Sequence, residues 1–181
     1  KQVFYLFQFV HFFSRNRLFL KIYILFFSLI FMKKYELLAP AGNFPMLVAA
    51  INAGADAVYL GLKEFNMRDN AENFTIKELD KVKKICNTKN VKIYLTLNTI
   101  IYDNELSKIE KIIKQVENKV DAIICWDLSV IELCRKYKIP FHISTQASVA
   151  NSESAKFYKK LGAERIVLAR ELNLKQIKKI S

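Results

Sequence analysis

Four glycines in 181 residues leave little room for a phosphate-cradling loop. Neither G-x-G-x-x-G nor G-x-x-x-x-G-K-[ST] occurs, so the sequence offers no support for nucleotide binding of either kind. The three cysteines, Cys86, Cys125 and Cys134, form no C-x-x-C pair and no Cys/His cluster with metal-ligand spacing. Cys125 lies in the apolar run AIIC and Cys134 in a helical pattern, which reads as buried free thiols in a reducing cytoplasm. Histidine is almost absent: beyond His11 near the N-terminus there is only His142. The apolar run from Ile22 to Met32 falls well short of the ~20 residues needed to span a bilayer, so no stable membrane insertion is expected.

What is present starts with charge. The formal net charge is +12, spread over separate lysines and not gathered in one run. Such a surface suits a polyanion such as RNA, and equally a soluble protein from a genome whose codons favour Lys, Asn, Ile and Phe. With 52% apolar residues the chain can bury one real core, and it is too short for two comfortable domains.

Composition changes at Met32. Residues 1–31 hold nine of the fourteen phenylalanines and no Asp, Glu, Ala, Gly, Pro or Thr. This segment reads as a signal-like stretch or as misassigned upstream sequence, with translation expected to begin at Met32 and the folded domain to occupy 32–181.

From Tyr35 onward short β-rich runs alternate with helical patterns, the signature of βα units on a parallel sheet. The expected strands are YELLA, AVYLG, KIYLTLN, DAIIC, FHIST and RIVLA. The first expected helix runs from about Pro45, capped by Asn43, to Gly54. Thr75 and Glu78 form a capping box for the second. The next run from about Asn104 to Asn118, through VIELCRKYK, from near Ser152 to just before Gly162, and from LKQIKKIS onward. Six βα units satisfy either a doubly wound sheet or an eight-stranded barrel cut short.

In both architectures ligands bind at the carboxyl ends of the strands. The polar residues at those turns are Asn43, Arg68, Asn73, Asn98, Asp127, Gln146, Ser148, Arg170 and Glu171. Turns are polar in any case, and Asn43 and Asp127 stand where helix caps are needed. Gln146, Asn98 and Arg170 are harder to attribute to capping. Within HISTQAS, an extended chain would project His142, Ser144 and Gln146 the same way at intervals of about 6 to 7 Å. A general base must approach its nucleophile to about 2.6 to 3.2 Å, so a Ser–His pair is disfavoured here. A polar interior with Gln146 nearest the ligand fits better.

Taken together, ELLAPAGN, AGADAVYLG, NMRDNAENFT, HISTQASVAN and RIVLARELNL resemble the N-terminal half of peptidase family U32, from about Lys34 to Ile180. The resemblance implies a TIM-like (β/α) barrel, truncated here after about six units. Members of that family are described either as collagenase-like peptidases or as factors for hydroxylation of tRNA uridine, ribosomal RNA cytidine or ubiquinone precursors. The resemblance further implies an iron–sulfur cluster on cysteines of the half that follows; none is assignable to Cys86, Cys125 or Cys134, and no metal site is expected in this chain. Carried over position by position, Gln146, Asn98, Arg170, Glu171 and Asp127 are the catalytic candidates and Arg68 a substrate-binding one; Asn73 and Ser148, from their places at the turns after the second and fifth strands, are the other substrate-binding candidates. The leading expectation is a cytoplasmic tRNA-modifying enzyme. A peptidase acting on peptide substrates is the alternative, and a non-catalytic half-barrel subunit the second.

Overall fold

The computed structural model describes residues 35–67 and 72–180. The segment 1–31 and Arg68 lie outside the described residues.

Six strands form one sheet: β1 (Leu38–Pro40), β2 (Ala57–Gly61), β3 (Lys92–Thr96), β4 (Ala122–Cys125), β5 (Phe141–Ile143) and β6 (Arg165–Ile166). Six helices alternate with them: α1 (Phe44–Asn52), α2 (Leu79–Asn87), α3 (Leu106–Val116), α4 (Leu128–Lys136), α5 (Ser152–Leu161) and α6 (Leu174–Ile180). Every neighbouring pair is parallel and the spatial order follows the chain, β1 to β6. A doubly wound sheet must reverse its order at a switch point. This one never does, so right-handed crossovers place the connecting helices α1 to α5 on one face. The sheet is a curled half barrel.

Strand periodicity then sorts the core into two layers. Ile93 and Leu95 of β3, Ile123 and Cys125 of β4, and Phe141 and Ile143 of β5 face the helices, where they pack with Val82, Cys86, Ile109, Ile113, Ile131 and Cys134. The alternate residues face the barrel interior: Ala57, Tyr94, Ala122 and Ile124 form a second, smaller cluster with Leu38 and Tyr59 packed against it. Residues that pair across the inner face keep the same parity along the sheet, as in Tyr59 with Tyr94, Thr96 with Ile124, and His142 with Arg165.

Caps fix the helix starts. Asn43 Oδ1 accepts from Met46 N at 2.9 Å, and Asn151 Oδ1 from Ser154 N at 2.9 Å. Gly162 closes α5 at φ 101°, a left-handed position that suits glycine. The Thr75–Glu78 box forms in both directions, although α2 proper begins only at Leu79.

Five strands are shorter than their sequence patterns. β1 starts at Leu38 and not at Tyr35, β3 ends at Thr96 and not at Asn98, β4 starts at Ala122 and not at Asp121, β5 stops at Ile143 because Ser144 opens a 3-10 turn over Thr145–Ala147, and β6 ends at Ile166. Beyond Ile166 the chain stays bonded, Val167 N to Ile143 O and Ala169 N to Val149 O.

All three thiols are buried in the layer between sheet and helices. A hydrogen bond to Cys134 and burial hold the Cys125 thiol well above its ordinary value, and burial pushes Cys86 up to about 11. Thiols enclosed in an apolar layer are poor nucleophiles because no reagent reaches them. In the native protein Cys86, Cys125 and Cys134 are therefore expected to resist a disulfide reagent at pH 8 for many minutes, and all three to react at once in urea. Rapid labelling of any of them before unfolding would contradict this packing.

Candidate functional site

The carboxyl ends of the strands surround a cleft of about 450 Å³. Its lining comes from the β2–α2 segment (Asn66, Met67), β3 and its turn (Thr96, Asn98), the β5 turn (Ser144, Thr145, Gln146) and the stretch after β6 (Val167, Leu168, Arg170). Leu38, Tyr59 and Ile124 form its apolar floor. A volume of this size, apolar below and polar above, matches a small-molecule or nucleobase pocket.

One wall is built around Gly61, which stands opposite Thr96 in the ladder. A side chain here is impossible without movement, because a Cβ would lie 1.9 Å from Asn66 Nδ2. The buried Asn66 amide fills that space. Thr96 Oγ1 donates to Asn66 Oδ1 at 3.1 Å, and Asn66 Nδ2 donates to Asn73 Oδ1 at 2.9 Å. Asn73 is buried with φ 51°, so its role in this structure is to hold Asn66 from behind the cleft wall.

Asn98 follows β3 and is tied on three sides. Its N–H donates to Phe65 O at 3.1 Å, its carbonyl accepts from Trp126 Nε1 at 2.8 Å, and its Oδ1 accepts from Met67 N at 3.3 Å. These bonds join the β2–α2 segment, β3 and β4 at the cleft rim.

Ser144 and His142 are both buried, yet they open on different spaces. Ser144 lines the upper cleft, and its Oγ accepts from Gln146 N at 3.4 Å as the cap of the 3-10 turn. His142 lies lower, in a cavity of about 240 Å³ at the amino ends of the strands with Lys92, Tyr94, Asp121, Glu164 and Arg165. Its ring meets Tyr94 edge to face at 4.6 Å, and the Arg165 guanidinium sits 5.6 Å from the same Tyr94 ring. Gln146 reaches the cleft from the turn and not, as an extended HISTQ would have it, from the strand. Arg170 lines the cleft and is exposed.

The structure thus gathers Asn98, Gln146 and Arg170 in one cleft. Asp127 is placed elsewhere. Its Oδ1 accepts from Ser129 N and Oγ at 2.9 and 2.6 Å, capping α4, and its Oδ2 accepts from Ile101 N at 3.2 Å. Ser148 ends the 3-10 turn at φ 49° and is exposed; Glu171 is exposed next to Arg170; neither lines the cleft. Asn43 caps α1. Tyr59, Asn66, Met67, Thr96, Ser144 and Thr145 line the cleft without having stood among the site candidates. A glycine ending β2 and the Asn-rich FNMRDNAEN mark this stretch in the sequence but single out neither Asn66 nor its partner Thr96.

No group of three or more His, Cys, Asp or Glu side chains converges to hold a metal ion among the described residues. The three cysteines lie on the helix side of the sheet and do not meet one another at the cleft, so these residues do not fit an iron–sulfur cluster. Among the described residues no helix is long and apolar enough to cross a membrane.

Residues 42–181 match the sequence profile of Peptidase family U32. The chain is 48% identical over 146 residues to an uncharacterized protease of Methanocaldococcus jannaschii, covering 80% of this chain and 36% of that protein. It is 38% identical over 151 residues to tRNA hydroxylation protein P1 of Bacillus subtilis, covering 82% of this chain and 36% of that protein. The chain therefore spans well under half the length of these relatives. A solved U32 peptidase superposes with a TM-score of 0.65 over 83% of this chain and 66% of its own, at 14% identity, which establishes a common fold.

Proposed function

This chain belongs to peptidase family U32, and from that premise we propose that it acts in RNA modification, in the hydroxylation of a tRNA uridine. The observation that carries the reading is the chemistry of the cleft. Its polar lining is amide and hydroxyl groups with one guanidinium, and no carboxylate, imidazole or thiol lines it among the described residues. Amide edges suit the donor and acceptor pattern of a base, the apolar floor suits its ring, and Arg170 suits a phosphate. The chain's +12 charge adds backbone attraction that does not depend on sequence. The name of the Bacillus subtilis relative supports the same reading.

This chain's part in the reaction is to bind and orient the base. We assign no step to an iron–sulfur cluster, since Cys86, Cys125 and Cys134 do not fit one, and we place any such cluster outside these residues. The peptidase reading has Ser144 in the cleft as its best nucleophile. That hydroxyl lacks its base, because the one imidazole of the β-sheet opens on the lower cavity.

Deleting the gene is expected to remove hydroxyuridine from bulk tRNA, read by mass spectrometry of nucleosides, and re-expression to restore it. Unchanged hydroxyuridine in the deletion strain would reject the proposal. Gelatin cleavage by the purified protein that is lost on Ser144→Ala would favour the peptidase instead.

A further inference from the structure

The amide of Asn98 has a fixed orientation. A backbone N–H can only donate, so the bond from Met67 N must meet the oxygen of the Asn98 side chain and not its nitrogen. The main-chain N–H and C=O of Asn98 are spent on Phe65 and Trp126. With its oxygen turned to Met67 N–H, what Asn98 has left for the cleft it lines is its amino group with two N–H donors. A flip of the amide would break that bond and set the amino group against Met67 N–H, which biases Asn98 toward donating into the cleft.

We propose that Asn98 is a specificity-determining residue that donates to a carbonyl at position 4 of the bound pyrimidine, which selects uracil over cytosine. This rests on the reading of the cleft as a nucleobase site. Uracil carries an oxygen at position 4 and accepts the bond. Cytosine carries an amino group there, and two donors facing each other leave both unpaired, a loss larger than the bond itself. Asn66, the other amide of this wall, has both ends engaged by Thr96 and Asn73. Gln146 is exposed on a turn, so its amide can adapt to either base.

The test is binding of three nucleosides to the full chain, followed by NMR titration: uridine, cytidine and the riboside of pyrimidin-2-one, which has no substituent at position 4. Uridine is expected to bind about tenfold more tightly than either of the others. Asn98→Asp keeps an oxygen for Met67 N–H and turns an acceptor toward the cleft, so cytidine is expected to bind that variant at least as well as uridine. Equal binding of all three to the unmodified protein overturns the role of Asn98 and leaves the nucleobase reading standing. A uridine preference that survives in Asn98→Asp overturns it too, by showing that another group reads the base. Binding of none of the three overturns both. Both comparison nucleosides also carry an acceptor at N3 where uridine carries N–H, so position 4 is assigned by the variants: should Asn98→Asp not fold, Asn98→Ala, which removes the donor, is expected to bind uridine and cytidine equally, and a uridine preference retained in it overturns the proposal.

Discussion

Gly61→Ala is expected to destabilise the protein by about 2–4 kcal/mol and to displace one wall of the cleft. The cause is space and not backbone conformation. The added Cβ would sit 1.9 Å from Nδ2, 2.3 Å from Cγ and 2.9 Å from Oδ1 of Asn66, a side chain that is only 3% exposed. Asn66 has nowhere to retreat without releasing Thr96 Oγ1 and Asn73 Oδ1. Thr96 keeps a second acceptor in Leu60 O at 3.0 Å, so the heavier loss falls on the Asn66–Asn73 bond and the loop it holds. Urea unfolding measures the cost, and Asn66→Ala isolates its origin. In that background the space is empty, and Gly61→Ala is expected to cost under about 1 kcal/mol. Equal costs in both backgrounds would show that the clash is not with Asn66.

Family, barrel-like fold and helix caps were legible in the sequence because each rests on local or periodic signals. Asn43 and Gly162 work through backbone groups within a turn of themselves. The layering of Ile93, Tyr94, Leu95 and Thr96 follows from a period of two. Periodicity did not settle the order of strands, since the same βα alternation builds a doubly wound sheet; the motif resemblance tipped that choice, and the unreversed order β1 to β6 bears it out.

The cleft was legible only in part. Asn98, Gln146 and Arg170 could be placed because each follows a strand. Asn66 and Thr96 could not, since they meet across 30 residues and the meeting depends on a glycine whose absent side chain makes the room. The polar alternation of HISTQ hid the end of β5 for a different reason: Ser144 turns the chain by capping it, and a capping serine looks the same in sequence as a strand serine. Asp127 shows the reverse case. Its position after β4 suits a catalytic carboxylate, yet both oxygens are engaged by backbone N–H groups of Ser129 and Ile101.

Phe74→Ala is expected to be the most costly single truncation near the site, about 3–5 kcal/mol. The side chain is 1% exposed, and its ring meets Phe44 edge to face at 5.2 Å, with the Lys81 ammonium 4.5 Å from the Phe44 ring centre. Its backbone does as much. Phe74 N donates to Gly61 O at 3.0 Å and its carbonyl accepts from Lys63 N at 3.2 Å, so the residue fastens the return of the β2–α2 segment to the end of β2. That segment supplies Asn66 and Met67 to the cleft and Phe65 O to Asn98. Losing the ring should therefore loosen the cleft as well as the core. Hydrogen exchange at the Asn98 amide is expected to accelerate along with the drop in urea midpoint, and uridine affinity to fall with it. Phe74→Leu, which keeps most of the apolar volume, is expected to cost about half as much. A Phe74→Ala protein with near-normal stability and an unchanged Asn98 amide would mean that the segment is held by its hydrogen bonds alone, and that the wall of the cleft is independent of the core beneath it.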